Sequence, residues 1–158
     1  MIQAGQQFPS FDLQDQDGMR RRLSEFAGKW LVVYVYPKDD TPGCTLEGQN
    51  FTAAKPQFDS ENVVVLGLSE DDVSSHKSFC NKFGFKIPLL ADPKAELLNS
   101  LGVPRSDYKG TMYWNRTTFL VDPTGKLRKV YEKVQVNGHE KAVLEDVRML
   151  ASAAGRAP

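Results

Sequence analysis

The sequence predicts an α/β chain, with a mixed central β-sheet flanked by helices and a β-hairpin at its N-terminus. Residues 30–36, WLVVYVY, and 62–68, NVVVLGL, are the first grounds for this. Both are apolar, β-branched runs of the kind that form strands buried on two faces, and a helix start lies between them, which makes a parallel βαβ unit. The second ground comes later in the chain. Residues 117–121 and 127–134 flank Asp122-Pro123-Thr124-Gly125, a turn signal between two antiparallel strands. A parallel unit joined to an antiparallel pair makes the sheet mixed.

Each element has a local cause. Residues 11–26 alternate loosely around Asp17-Gly18 and read as the N-terminal hairpin. Pro37 ends the strand at 30–36. Thr41 is a good N-cap and Pro42 suits the first helical position, so a helix runs from Pro42 into the Phe51 region. At 72–83, Val73, His76, Phe79, Cys80 and Phe83 recur at helical spacing and Gly84 is the stop, which puts Cys80 on or beside an apolar stripe. A short strand at 87–91 and a short helix at 94–101, closed by Gly102, follow. The last helix, 139–151, carries Val143, Leu144, Val147, Leu150 and Ala151 on one face, and the tail 155–158 is expected to fray.

Composition bounds the function. A chain of 158 residues suits one domain over 1–158. Lys plus Arg equals Asp plus Glu at 20 each, so no global charge draws nucleic acid or an anionic membrane. The longest apolar run is far short of the roughly 18 residues of a membrane span, and the opening residues lack a signal pattern, so a soluble cytoplasmic protein is expected. Two cysteines separated by 35 residues make neither a disulfide framework nor a zinc site. A redox pair is left.

Cys44 is the residue that points to chemistry. It falls in the first turn after Thr41 and Pro42, where unpaired N–H groups and the positive helix end favour a thiolate. A thiol below its ordinary value of about 8.5, and therefore nucleophilic, is expected there. The alternative is a small buried hydrophobe, the commonest role of a lone intracellular cysteine.

Pro37, Thr41 and Cys44 form PxxxTxxC within YVYPKDDTPGCTLE, and Arg116 opens RTTFLVD. Together these resemble the active-site signature of peroxiredoxins, closest to the bacterioferritin comigratory protein or peroxiredoxin Q subfamily, and the resemblance spans essentially the whole chain. It implies a thioredoxin-like fold and a thiol peroxidase acting on hydrogen peroxide and organic hydroperoxides. By this resemblance Cys44 is the peroxidatic cysteine, attacking a peroxide oxygen and leaving as a sulfenic acid. Thr41 would hydrogen-bond the sulfur and the peroxide, Arg116 would stabilise the thiolate and the departing oxygen, and Pro37 would shield the sulfur from water. Glu47 resembles a residue that orients the arginine, with an exposed helix charge as its other reading.

The subfamily commonly carries a second cysteine five residues after the first, where this chain has Gln49. Some members place it on the next helix instead, and Cys80 matches. The resemblance then implies an intramolecular Cys44–Cys80 disulfide, an atypical 2-Cys cycle. Its alternative is a packing role for Cys80, with an external thiol resolving the sulfenate. Thioredoxin, or glutaredoxin as second candidate, is the implied reductant, a monomer the implied state, and no cofactor or metal is implied. Tyr36, Phe83, Tyr113 and Trp114 are candidates for an apolar collar around the site.

Other functions lack their residues. A cysteine phosphatase needs an Arg six residues after the nucleophile, where Asn50 stands. A dithiol oxidoreductase needs CxxC, whereas Thr45, Leu46 and Glu47 follow Cys44. A cysteine hydrolase needs a histidine base, and His76 and His139 both read as structural. A non-enzymatic chaperone on the same fold is the other class.

Overall fold

Strand β3 (Trp30–Val35) is the centre of the sheet, and its two-residue period distributes side chains between two cores. Trp30, Val32 and Tyr34 enter one, Leu31, Val33 and Val35 the other, and all six are buried. The structure, a computed structural model, describes residues 1–155. The expected fraying of the tail falls on residues 155–158; Gly155 closes the last helix, and the other three lie outside the described residues.

Around β3 the sheet runs β2-β1-β5-β4-β3-β8-β9. Its members are β1 (Asp12–Gln14), β2 (Arg20–Arg22), β4 (Val63–Ser69), β5 (Leu89–Ala91), β8 (Thr117–Val121) and β9 (Leu127–Tyr131). Strands β3, β4 and β5 are parallel, while β8 is antiparallel to β3 and β9 to β8. The mixed sheet and the N-terminal hairpin are thus as the sequence predicts. Strand β9 stops at Tyr131, short of 134, because beyond it Val134 donates its N–H to the carbonyl of Arg116 instead of extending the ladder.

Helices α1 (Pro42–Ser60), α2 (Val73–Phe83) and α4 (His139–Gly155) cover one face. α1 is far longer than its start signal indicated. Its Phe51 and Phe58, both essentially unexposed, stay on the core side, each contributing about 1.5–3 kcal/mol by burial. The other face carries α3 (Glu96–Leu101) and a short 3₁₀ turn (Leu23–Phe26). α2 and α3 end as predicted, with Gly84 and Gly102 in the left-handed region at φ 66° and 72°.

One element was not legible in the sequence. Strands β6 (Arg105–Tyr108) and β7 (Thr111–Trp114) form a separate two-stranded hairpin. All four β6 residues are exposed, so no hydrophobic alternation marks it. Its one signal is Lys109-Gly110, both at positive φ (51° and 86°), the requirement of a two-residue turn.

Candidate active site

The C-terminal end of β3 is where the site forms. Parallel strands deliver the chain to α1 there, and the antiparallel β3/β8 register pairs Val35 with Thr117. Arg116, one residue before Thr117, is thereby brought beside the loop that leads into α1. The sheet register, rather than any local sequence rule, makes residues 72 apart into neighbours.

Arg116 joins Cys44 to Glu47. Its Nη2 stands 3.3 Å from Cys44 Sγ and its Nη1 3.0 Å from Glu47 Oε1. Glu47 lies one turn after Cys44 on α1, and its side chain is 2% exposed, so the exposed-charge reading is excluded. Its second oxygen, Oε2, is buried without a partner. Burial accordingly pushes the carboxyl up to about 7 against the pull of the Arg116 charge and hydrogen bond.

Gly43 explains how the guanidinium gets so close. A Cβ there would lie 2.5 Å from Arg116 Nη2. Gly48 is needed for a different neighbour, since its Cβ would meet Phe85 Cζ at 2.5 Å. Both glycines are close-packing residues.

Thr41 takes the N-cap position with extended backbone, and its carbonyl accepts the first helical bond from Thr45. Its hydroxyl does not cap the helix. It donates to the Lys38 carbonyl at 3.0 Å, and beside Cys44 it pulls that thiol's pKa down. Pro37 is half-buried on the other side of the loop, lining an open cavity of about 410 Å³ with Lys38, Glu70, Met112, Tyr113 and Trp114. Two of the four collar candidates, Tyr113 and Trp114, share that cavity with Pro37. Tyr36 and Phe83 do not line that cavity: Tyr36 is buried in the same core as Cys44 and bonded to Asp39, and Phe83 packs on Phe79 and Phe85.

The net direction of the Cys44 pKa corrects the sequence expectation. The residue is 1% exposed, and burial pushes its thiol above the ordinary value. The Arg116 charge, the Thr41 hydroxyl, the Lys38 backbone N–H and the Arg116 hydrogen bond pull it down, and burial outweighs them. A helix start facing water lowers a thiol, whereas one sealed under side chains pays desolvation first.

Cys80 lies on the buried face of α2, in the same core layer as Cys44, and both are free thiols. Tyr34, stacked on Phe51 at 4.7 Å, has its phenol pKa raised first by burial and then by neighbouring Glu47, Cys80 and Cys44. Burial, with Asp39, Asp17 and Asp15 nearby, pushes the Cys80 thiol up to about 12. In this closed arrangement it is a poor nucleophile. Gln49, at the other candidate resolving position, faces solvent on α1.

Sequence reasoning missed the polar cluster beneath the loop. Asp39, Asp71 and His76 hold their polar atoms within 4.8 Å of one another, a spacing compatible with a cation. Those atoms are engaged with each other and with hydroxyls: His76 Nδ1 meets Asp39 Oδ2 at 2.7 Å, and Ser69 donates to Asp71 Oδ2 at 2.7 Å. The cluster is a hydrogen-bond network. His139 is likewise structural, its Nε2 2.8 Å from Thr118 Oγ1.

Comparison with known proteins agrees with this geometry. Residues 4–130 match the AhpC/TSA family. The chain is 43% identical over 130 residues to peroxiredoxin Bcp of Xanthomonas campestris, covering 80% of this chain and 81% of that one. It is 39% identical over 151 residues to chloroplastic peroxiredoxin Q of Populus jackii, covering 96% and 69% respectively. Among solved structures, a Cys-to-Ser mutant of Xylella fastidiosa PrxQ superposes with a TM-score of 0.91 at 35% identity, covering 96% of this chain and 98% of that one. The Xanthomonas campestris bacterioferritin comigratory protein, solved as trapped intermediate and ligand complexes, gives 0.84 at 38% identity, with 89% and 92% covered. A thiol held against a guanidinium at the end of a thioredoxin-like sheet, in a chain with these relatives, leads to one conclusion: the chain belongs to the AhpC/TSA family, in its Bcp and peroxiredoxin Q branch, and is a thiol peroxidase.

Proposed function

We propose that Cys44 is the peroxidatic cysteine and Cys80 its resolving partner, so that each turnover passes through a sulfenic acid and an intramolecular disulfide. The observation that carries the first half is the Arg116 guanidinium, 3.3 Å from Sγ and anchored by its other arm on Glu47. The Cys44 thiolate attacks one peroxide oxygen, an S–O bond forms and the O–O bond breaks. The leaving oxygen takes a proton and departs as water or alcohol, and sulfur is oxidised by two electrons to the sulfenic acid. Arg116 faces the place where negative charge moves from sulfur to the leaving oxygen, Thr41 can donate and accept beside it, and Pro37 keeps water out.

Resolution follows the same bookkeeping. The Cys80 thiolate attacks the sulfenic sulfur, the S–S bond forms and the hydroxyl leaves as water. Since a disulfide needs Cα atoms within about 7 Å, α2 and the first turn of α1 have to unwind locally. Unwinding also exposes Cys80 and removes the burial that pushes its thiol up to about 12. A dithiol reductant of thioredoxin type, or glutaredoxin, returns both cysteines to thiols.

For substrate, the Xanthomonas campestris relative is described by its alkyl peroxide reduction activity. Met112, Tyr113 and Trp114, which share the cavity wall beside Pro37 with Lys38, Glu70, Asp71 and Thr111, are the side chains there that could meet the alkyl part of such a peroxide. Free thiols suit a reducing compartment, and we place the enzyme in the cytoplasm, acting as a monomer.

Mass spectrometry after one equivalent of peroxide tests the cycle. The expected product is a Cys44–Cys80 linkage, with Cys80→Ser arrested at the sulfenic acid. An unlinked Cys80 with undiminished turnover in Cys80→Ser would show instead that an external thiol resolves Cys44.

A further inference from the structure

The polar cluster beneath the active-site loop joins the two segments that carry the cysteines. Asp39 belongs to the loop between Pro37 and Thr41, and Ser75 and His76 belong to the first turn of α2, one turn before Cys80. The Asp39 carboxylate meets three side chains: it accepts from the Tyr36 hydroxyl at 2.6 Å and the Ser75 hydroxyl at 2.8 Å, and pairs with His76 Nδ1 at 2.7 Å. The other ring nitrogen, Nε2, lies 2.9 Å from the Leu90 carbonyl oxygen on β5. His76 has no exposed surface, so water replaces neither bond while α2 is in place. On the outside, Lys82 of α2 reaches Asp40 at 2.9 Å, and Asp40 sits at φ 58° in the same loop.

We infer that His76 is a positioning residue for the resolving step: the Asp39–His76–Leu90 chain is a clamp that keeps α2 folded against the loop until Cys44 is oxidised, and its opening sets the rate at which Cys80 reaches the sulfenate. This rests on the disulfide reading above. Ring and carboxylate are bonded only while α2 packs on the loop, so unwinding α2 has to break both His76 contacts. Weakening them destabilises the closed form alone and shifts the opening equilibrium toward the disulfide-competent form. The peroxide reaction needs the closed form, where Arg116 faces Cys44. It should therefore be spared so long as that form predominates.

The experiment is stopped-flow oxidation of the reduced enzyme, following the two steps separately by tryptophan fluorescence and acid-quenched mass analysis. For His76→Asn the peroxide step should stay within about twofold of the unsubstituted protein. Disulfide formation should accelerate about tenfold or more, the scale of a hydrogen bond to a charged group. Ser75→Ala, which removes one donor from Asp39 and keeps the ring, should move the same step in the same direction by less. Hydrogen exchange of the α2 amides should speed up in parallel. An equal or slower disulfide step in both variants, with wild-type disulfide forming normally, overturns the clamp. No disulfide in the wild type overturns the resolving role of Cys80 itself, and the clamp with it.

Discussion

Arg116 holds Cys44 and Glu47 with separate nitrogens, at 3.3 Å to Sγ and 3.0 Å to Oε1. One arm of the guanidinium is thereby fixed by a buried carboxyl group while the other is turned to the Cys44 sulfur. Orientation of a permanent charge, rather than its mere presence, is what this arrangement supplies.

Replacing the guanidinium tests that. Arg116→Met should lower the second-order rate with peroxide by about 100-fold or more, the scale of losing one preorganised donor. It should also raise the Cys44 pKa further, since the Arg116 charge is the largest influence holding it down. Ultraviolet thiolate absorbance against pH measures the second effect. Glu47, losing the charge that pulls its buried carboxyl down, should take up a proton in the variant, so its titration moves above about 7.

Gly43→Ala offers a gentler route to the same end. Its Cβ would stand 2.5 Å from Arg116 Nη2, so the guanidinium must move off the sulfur. Peroxide reactivity should fall while the melting temperature changes little, as the displaced group is the end of a flexible side chain. Gly48→Ala should do the reverse, costing about 1–3 kcal/mol against the packed Phe85 ring.

Glu47 gives stability an unusual pH dependence. Its folded value of about 7 lies above the ordinary carboxyl value of about 4.3, so the folded state holds the proton more tightly. The contribution is complete below pH ~4.3 and is lost as pH rises through about 7, a change of roughly 4 kcal/mol. Urea midpoints across that range should show the loss in the wild type and its disappearance in Glu47→Gln.

His139 acts in the opposite sense. Burial lowers it to about 4 from an ordinary value of 6.5, so the unfolded chain takes up a proton before the folded one does. Stability is present above pH ~6.5 and is lost as pH falls toward about 4. Thermal melts of His139→Asn, which can still meet Thr118, should lack this acid-side loss.

Much of the site was legible because its cause is local. Thr41 and Pro42 announce a helix, the apolar run before them announces a buried strand, and together they put Cys44 in a first turn whatever the remainder of the chain does. Pro37, Thr41 and Arg116 were identified by motif resemblance; in the fold Arg116 and Thr41 both act on the Cys44 sulfur, while Pro37 lines the neighbouring cavity. The hairpin β6–β7 was missed because an exposed ribbon has no buried face to leave an alternating pattern. The Asp39–His76 network was missed because its members are 37 residues apart and a histidine on an apolar stripe reads as packing.

The sequence by itself singled out Cys44 as the candidate nucleophile, and determined that the strands around it make a mixed sheet, since strand burial, helix starts and turns depend on neighbours along the chain. Only the tertiary structure decided the electrostatics of that nucleophile. Burial raises the Cys44 thiol, Arg116 reaches it through the β3/β8 register, Glu47 becomes a buried partner, and His76 ties the two cysteine-bearing segments together. Desolvation and long-range pairing depend on what packs over a group, and that is set only when the whole sheet and its helices are in place.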